Sequence, residues 1–335
     1  MPALKKPDND LAFDDQEKAE YLADSIELQC SLNPAPPDLE HVNRVENEVL
    51  RRSSLPPKDD LPSVSADEHG KKPSLSEFRN RKPRDLPTSY RPISLLSGLG
   101  KLFEKVLKSR LSDHLLGKGL IINEQFGFRP NHSCPQQALR LVEHISEGFK
   151  RKRKTVAVFF DVAKAFDKVW HAGLIYKLHQ LQVPDRSTLS PLLYSAYTND
   201  IPRPQTGVQL ALFADDTALY LSGSNFRIIT PRLQKAIDEL TRWFQTWRIE
   251  VNPEKSAAIF FNYSRVKKKE VVPYNSPTFR INKSPIPWHH KYKYLGITLD
   301  KHLHFKDHIK RVRQNAQLYL SRLSGMIGKK EQNEP

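Results

Sequence analysis

Leu210-Ala211-Leu212-Phe213-Ala214-Asp215-Asp216-Thr217-Ala218-Leu219-Tyr220-Leu221 consists of two apolar runs broken by adjacent acids. Residues 208–213 and 217–221 have strand character, and Ala214-Asp215-Asp216 between them predicts a hairpin turn. Upstream, Thr155-Val156-Ala157-Val158-Phe159-Phe160 is a third candidate strand, rich in β-branched and aromatic residues, and it ends at Asp161. Carboxylates at strand ends lose solvation and repel one another unless a cation neutralises them. Hard oxygen ligands suit Mg²⁺. Two such ions, roughly 3.5–4 Å apart, can activate a hydroxyl and stabilise a leaving oxygen in an in-line displacement. An Asp-Asp turn can equally be a plain bend, so the residues around it have to decide.

Working outward, apolar spacing predicts helices over 14–32, around 37–52, over 99–116, 135–149 and 168–181, and over a basic terminal stretch from 305 to about 326. The 99–116 stripe is Leu102, Phe103, Val106, Leu107, Leu111 and Leu115. In 135–149 the apolar face is Leu139, Val142, Ile145 and Phe149. Pro231 is read as the start of a long helix to about Arg248, because proline suits a first helical turn. Further strands are expected over 256–262 and 294–299. Hairpins outnumber βαβ units in this order, which predicts an α+β fold with an antiparallel sheet. The tryptophans, Trp170, Trp243, Trp247 and Trp288, read as packing residues.

Charge is unevenly spread. The net charge is +15. Residues 1–70 hold 16 acidic and 7 basic residues, and the remainder holds 22 acidic and 46 basic ones. A basic body suits a polyanionic partner, since Lys and Arg contacts to phosphate supply most non-specific affinity; a solvated basic surface is the plainer alternative. No run is long and apolar enough to span a membrane, and the charged N-terminus does not read as a secretory signal. Cys30 and Cys134 have no metal-ligand spacing. These features predict an intracellular protein, nuclear or cytoplasmic.

The blocks around the acids carry a family resemblance. Phe160-Asp161-Val162-Ala163-Lys164-Ala165-Phe166-Asp167 resembles motif A of reverse transcriptases, and Leu212-Phe213-Ala214-Asp215-Asp216 resembles their motif C. Tyr90-Arg91-Pro92-Ile93-Ser94-Leu95-Leu96 resembles the fingers motif of the non-LTR retrotransposon branch, and Asn123-Glu124-Gln125-Phe126-Gly127-Phe128-Arg129 its next block. Asn252-Pro253-Glu254-Lys255-Ser256 resembles motif D, and Tyr294-Leu295-Gly296-Ile297-Thr298-Leu299-Asp300 the strand leading into the thumb. Six blocks in order, over about 90–300, are most similar to the jockey-like group of insect mobile elements. The resemblance implies a right-hand polymerase palm, a truncated set of fingers and a partial helical thumb. It implies RNA-directed DNA polymerase activity with two Mg²⁺ (or Mn²⁺) ions, an RNA template, a DNA primer or target, and deoxynucleoside triphosphates. Asp161, Asp215, Asp216 and the Val162 carbonyl would hold metal. Phe166 would be the steric gate against a ribose 2′-hydroxyl. Arg91 would contact the triphosphate, and Lys255 would stand by the leaving pyrophosphate.

The sequence also departs from that family. Motif B retains its second half around Ser190-Pro191-Leu192 but lacks its Gln-Gly, with Gln182-Val183-Pro184-Asp185 in that region. Most of the fingers are absent before Tyr90. Both gaps fall between matching blocks, the pattern of an internally deleted copy. The implied organisation is an acidic leader over 1–75, remnant fingers over 76–150, a palm over 151–262 and the start of a thumb over 263–335. Two readings follow: an active polymerase, or a catalytically dead remnant that binds nucleic acid through its basic body.

Overall fold

The computed structural model describes residues 3–6, 10–31, 38–54, 85–86, 97–183, 191–205, 207–263 and 276–324. Its elements in chain order are β1 (Leu4–Lys5), β2 (Leu11–Ala12), α1 (Asp15–Cys30), α2 (Leu39–Ser53), α3 (Gly98–Leu115), α4 (Cys134–Lys150), β3 (Lys154–Val162), α5 (His171–Gln180), α6 (Pro191–Tyr197), β4 (Gln209–Phe213), β5 (Asp216–Gly223), α7 (Phe226–Thr246), β6 (Val251–Phe261), β7 (Arg280–Ile281), β8 (Ser284–Pro285), β9 (Trp288–His289), β10 (Lys291–Tyr294), β11 (Ile297–Asp300) and α8 (Lys306–Ser324). The class is α+β. The chain forms two compact units, each from three separate stretches. The first takes Met1–Pro130, Val162–Pro202 and Glu239–Asn252; the second takes Asn131–Asp161, Arg203–Asp238 and Pro253–Pro335.

The second unit is built on a five-stranded sheet of order β4-β5-β3-β6-β9. The predicted hairpin forms as β4 and β5, antiparallel, with Phe213 paired to Asp216. Ala214 carries the turn at φ 56, a left-handed conformation that costs a non-glycine residue energy. β5 pairs antiparallel with β3 from Lys154↔Gly223 to Phe160↔Thr217. The sheet is mixed, not purely antiparallel as expected, because β6 and β9 run parallel. A parallel partner needs a connection that returns the chain to the same sheet end.

Helix α4 covers β4 and β5. Ala138, Leu141 and Ile145 pack with Ala157, Phe159, Ala211, Ala218, Tyr220, Ile259 and Phe261. The helix is rolled relative to the expected face, and Leu139 is 53% exposed. Small residues set that roll. Ala138 is fully buried, and a Cβ on Gly148 would sit 3.0 Å from Thr155 Oγ1 and 3.2 Å from Ser222 Oγ. The Gln137 amide donates to the Leu212 carbonyl of β4 at 3.0 Å, which ties helix to sheet.

Two other expectations change. The 294–299 segment is a hairpin, β10 and β11, and not one strand. Leu295 and Gly296 both take positive φ, 45 and 82, as a two-residue primed turn requires. Helix α7 starts at Phe226 and carries Pro231 inside it. Asn225 initiates it, its side chain accepting the Ile228 N–H at 3.2 Å, and buried Ile229 anchors that first turn.

In the first unit, α1 is capped by Asp14, whose carboxylate accepts from the Gln16 and Glu17 amides. Leu22 of α1 packs with Leu4 and Ala12 of the β1–β2 pair. α2 lies on α5, with Val42 and Val45 buried. Leu111 and Leu115 of α3 join Ile121, Val183, Leu192, Leu193 and Ala196. Only the C-terminal half of the α3 stripe is buried, since Leu102, Phe103 and Val106 are exposed. Three tryptophans, Trp170, Trp243 and Trp247, are core residues here. Lys177 is buried among rings, its Nζ 3.6 Å from the Trp247 centroid and 4.7 Å from those of Tyr197 and Trp243. It donates to Asp200 Oδ1 at 2.6 Å and to the Tyr197 carbonyl at 2.5 Å.

Candidate active site

The β3–β5 register places the acids. Phe160 pairs with Thr217, so one further step brings Asp161 opposite Asp216. Asp215 occupies the adjoining turn between β4 and β5. Asp216 reaches solvent, yet its carboxyl is pushed up to about 6. Partial burial is the main cause, followed by the negative charges of Asp215 and Asp161. Three acids therefore share one electrostatic neighbourhood at the sheet end, and a cation there would relieve their repulsion.

Neighbouring strands hold that end. The Asp161 amide donates to Ser256 Oγ of β6 at 3.1 Å, and Ser256 is fully buried. Behind β3, Phe159 stacks on Tyr292 with centroids 4.6 Å apart, and Tyr294 lies 5.0 Å from the same ring. Both phenols are raised, first by burial and next by Asp216; Tyr292 reaches about 12. The Cys134 thiol is also pushed up, by burial and then by Asp216. These aromatic and hydroxyl supports were not singled out from sequence. Ser256 lies at the end of the block read for Lys255, and Tyr294 was read only as part of a strand.

The other expected site residues are placed separately. Lys255 is exposed on β6, beside Ser256. Val162 ends β3. Phe166, in the first unit, is 48% exposed, which rules out a core role. Its ring lies 4.9 Å from Tyr194 and 6.2 Å from Phe128. Arg91 and the 184–190 stretch, which holds part of the motif B region, lie outside the described residues.

Among the described residues, no group of three or more His, Cys, Asp or Glu side chains is arranged to hold a metal ion by itself. That is compatible with Mg²⁺, which keeps several waters and is usually held by one or two carboxylates plus substrate phosphates. The donor set is all oxygen, as that ion requires, and the charges of Asp215 and Asp161 add to burial in raising the Asp216 carboxyl. No helix among the described residues is long and apolar enough to cross a membrane.

Comparison with known proteins identifies the family. Residues 71–299 match the family model "Reverse transcriptase (RNA-dependent DNA polymerase)". The chain is 33% identical over 290 residues to "Probable RNA-directed DNA polymerase from transposon BS" of Drosophila melanogaster, covering 74% of this chain and 31% of the relative. It is 33% identical over 288 residues to "RNA-directed DNA polymerase from mobile element jockey" of the same species, covering 74% and 30%. The jockey element of Drosophila funebris gives 29% over 300 residues, 76% and 32%. The chain thus spans about a third of the length of these relatives. A reverse-transcriptase match over most of the basic body, which includes the acidic hairpin, places the chain in the reverse transcriptase family of RNA-directed DNA polymerases, among those of non-LTR retrotransposons.

Proposed function

We propose that the chain carries the nucleotidyl-transfer centre of a reverse transcriptase, extending a DNA primer on an RNA template with deoxynucleoside triphosphates. The observation that supports this most directly is the β3–β5 register, which sets Asp161 against Asp216 with Asp215 at the turn between β4 and β5. Asp161, Asp215, Asp216 and the Val162 carbonyl would hold two Mg²⁺ ions. When bound, the ions supply activation of the primer hydroxyl and stabilisation of the leaving pyrophosphate. Ser256 fixes the backbone of Asp161, so its carboxylate is positioned before substrate arrives. Lys255 stands at the same end of β6, where an ammonium can supply a proton or positive charge to the departing phosphate. Phe166, half exposed and braced by Tyr194, has the bulk to pack against a sugar and exclude a 2′-hydroxyl. Arg91 would bind the triphosphate. In domain terms, we assign fingers to 76–150, palm to 151–262 and the beginning of the thumb to 263–335. Primer extension on an RNA template, with Asp215→Ala as control, tests the reading: incorporation no greater than in the control rejects present activity.

A second reading is a remnant that binds nucleic acid without catalysis. The lost Gln-Gly of motif B favours it, because that turn would cradle the template and the incoming base. The basic residues of α8, Lys306, Lys310, Arg313 and Arg322, would then contact a phosphate backbone. Arg311 is partly committed elsewhere, since it donates to the Gly296 carbonyl. Salt-dependent RNA binding without incorporation supports this reading, and binding indifferent to salt counts against it.

A further inference from the structure

Helix α2 precedes the stretch that matches the family, residues 71–299, yet it packs on α5. Between the two helices lies a groove of about 530 Å³, lined on the α2 side by Arg44, Asn47, Glu48, Arg51 and Arg52. Tyr176 and Gln180 of α5 form its other wall. The volume is in the range of ligand sites. Its charge runs against its surroundings: residues 1–70 hold 16 acids and 7 bases, whereas this groove gathers three arginines around one glutamate.

The arginines are held in place. Glu48 accepts from Arg51 Nε and Nη2, both at 2.8 Å, and from Arg52 Nε at 2.6 Å. Those hydrogen bonds hold the Glu48 carboxyl well below its ordinary value, at about 2, so it stays ionised and the clamp persists at neutral pH. Arg44 Nη2 lies 3.0 Å from His41 Nδ1. Each guanidinium has five N–H donors, so Glu48 uses only part of what Arg51 and Arg52 offer. Pre-set guanidinium forks match phosphate oxygens. The Tyr176 ring is backed by Trp247, centroids 6.3 Å apart, and stays partly exposed. A partly exposed ring beside phosphate-binding forks is the arrangement that holds single-stranded nucleic acid by base stacking and backbone charge. Asn47 and Gln180 add amides suited to base edges or sugar hydroxyls.

We propose that the α2–α5 groove binds a segment of single-stranded nucleic acid, with Arg44, Arg51 and Arg52 on its phosphates and Tyr176 against a base. An acidic peptide would satisfy the arginines but leave the ring and the amides without a purpose, which is why a nucleic acid fits better. The groove shares no lining residue with the acidic hairpin, so the proposal does not depend on catalysis.

The test uses the full chain carrying Asp215→Ala and a short fluorescent single-stranded RNA, with affinity read by anisotropy across a salt series. The double change Arg44→Ala with Arg52→Ala is expected to weaken binding roughly ten-fold and to flatten the log–log salt slope by about 1.4, at about 0.7 per lost phosphate contact. Tyr176→Ala is expected to weaken it by about ten-fold, with Tyr176→Phe restoring most of the loss. Gln180→Glu places a negative charge on the α5 wall without touching α2, and it should weaken binding even where the arginine variant folds poorly. Unchanged affinity and slope in the folded variants overturns the proposal. So does polyglutamate binding with the same arginine dependence, which would reassign the groove to an acidic protein. Primer extension by the groove variants with Asp215 restored reports separately on the polymerase reading.

Discussion

Ser256 holds Asp161: the Asp161 amide donates to the Ser256 hydroxyl at 3.1 Å, across from β3 to β6. The hydroxyl is buried, so nothing replaces it when it is removed. Ser256→Ala is expected to destabilise the fold by about 1–2 kcal/mol, the cost of leaving a part-buried amide without this partner. It should also lower primer extension by more than that loss of folded protein explains. Urea unfolding and incorporation rate, measured on the same preparation, check this; an unchanged midpoint and rate would refute it.

Lys177 makes stability depend on pH in the alkaline range. Burial lowers its ammonium from 10.5 to about 7, with Asp200 opposing the shift. Between pH 7 and about 10.5 the unfolded chain therefore holds a proton that the folded chain has lost. Stability contributed by this group rises with pH across that window and is lowest below pH 7. The span is on the order of a few kcal/mol. Lys177→Met should remove the rise, so the stability difference between the two proteins is expected to change steadily from pH 7 to 9.5. Parallel stability curves would show that the lysine stays protonated inside its aromatic box.

Gly148 sets how closely α4 approaches the sheet. Its nearest neighbours, Thr155 Oγ1 and Ser222 Oγ, bond to each other at 2.8 Å, and Ser222 lies 2.9 Å from His144 Nε2. A chain of partners leaves neither oxygen able to yield. Gly148→Ala is thus expected to cost about 1–3 kcal/mol through overpacking, despite alanine's better helix propensity. Combining it with Ser222→Ala should recover part of the loss. Thermal melts of the single and double variants decide, and a stabilised single variant contradicts the packing account.

Phe166 should affect sugar selection more than stability. At 48% exposed it contributes little to the core, so Phe166→Val is expected to shift stability by no more than about 1 kcal/mol. Ribonucleotide incorporation relative to deoxynucleotide should rise by roughly ten-fold or more, the scale on which pocket sterics discriminate. Equal discrimination in both proteins would remove the steric-gate role.

Local pattern was sufficient for the β4–β5 hairpin, for α4 and for α2, because alternation and helical spacing are properties of neighbouring residues. The adjacency of Asp215 and Asp216, and the family blocks around them, were likewise legible without a structure. The roll of α4, which buries Ala138 and exposes Leu139, was not, because it depends on how much space the facing strands leave. The bend at Leu295-Gly296 was hidden inside an apolar run that reads as one strand. Asp161 reaches Asp216 only through the β3–β5 register, and Ser256 reaches Asp161 only because β6 lies beside β3. Sequence by itself supplied the three carboxylates and the family; tertiary structure decided which of them meet and what holds them, since pairing across 55 residues of chain is a non-local choice that no single stretch encodes.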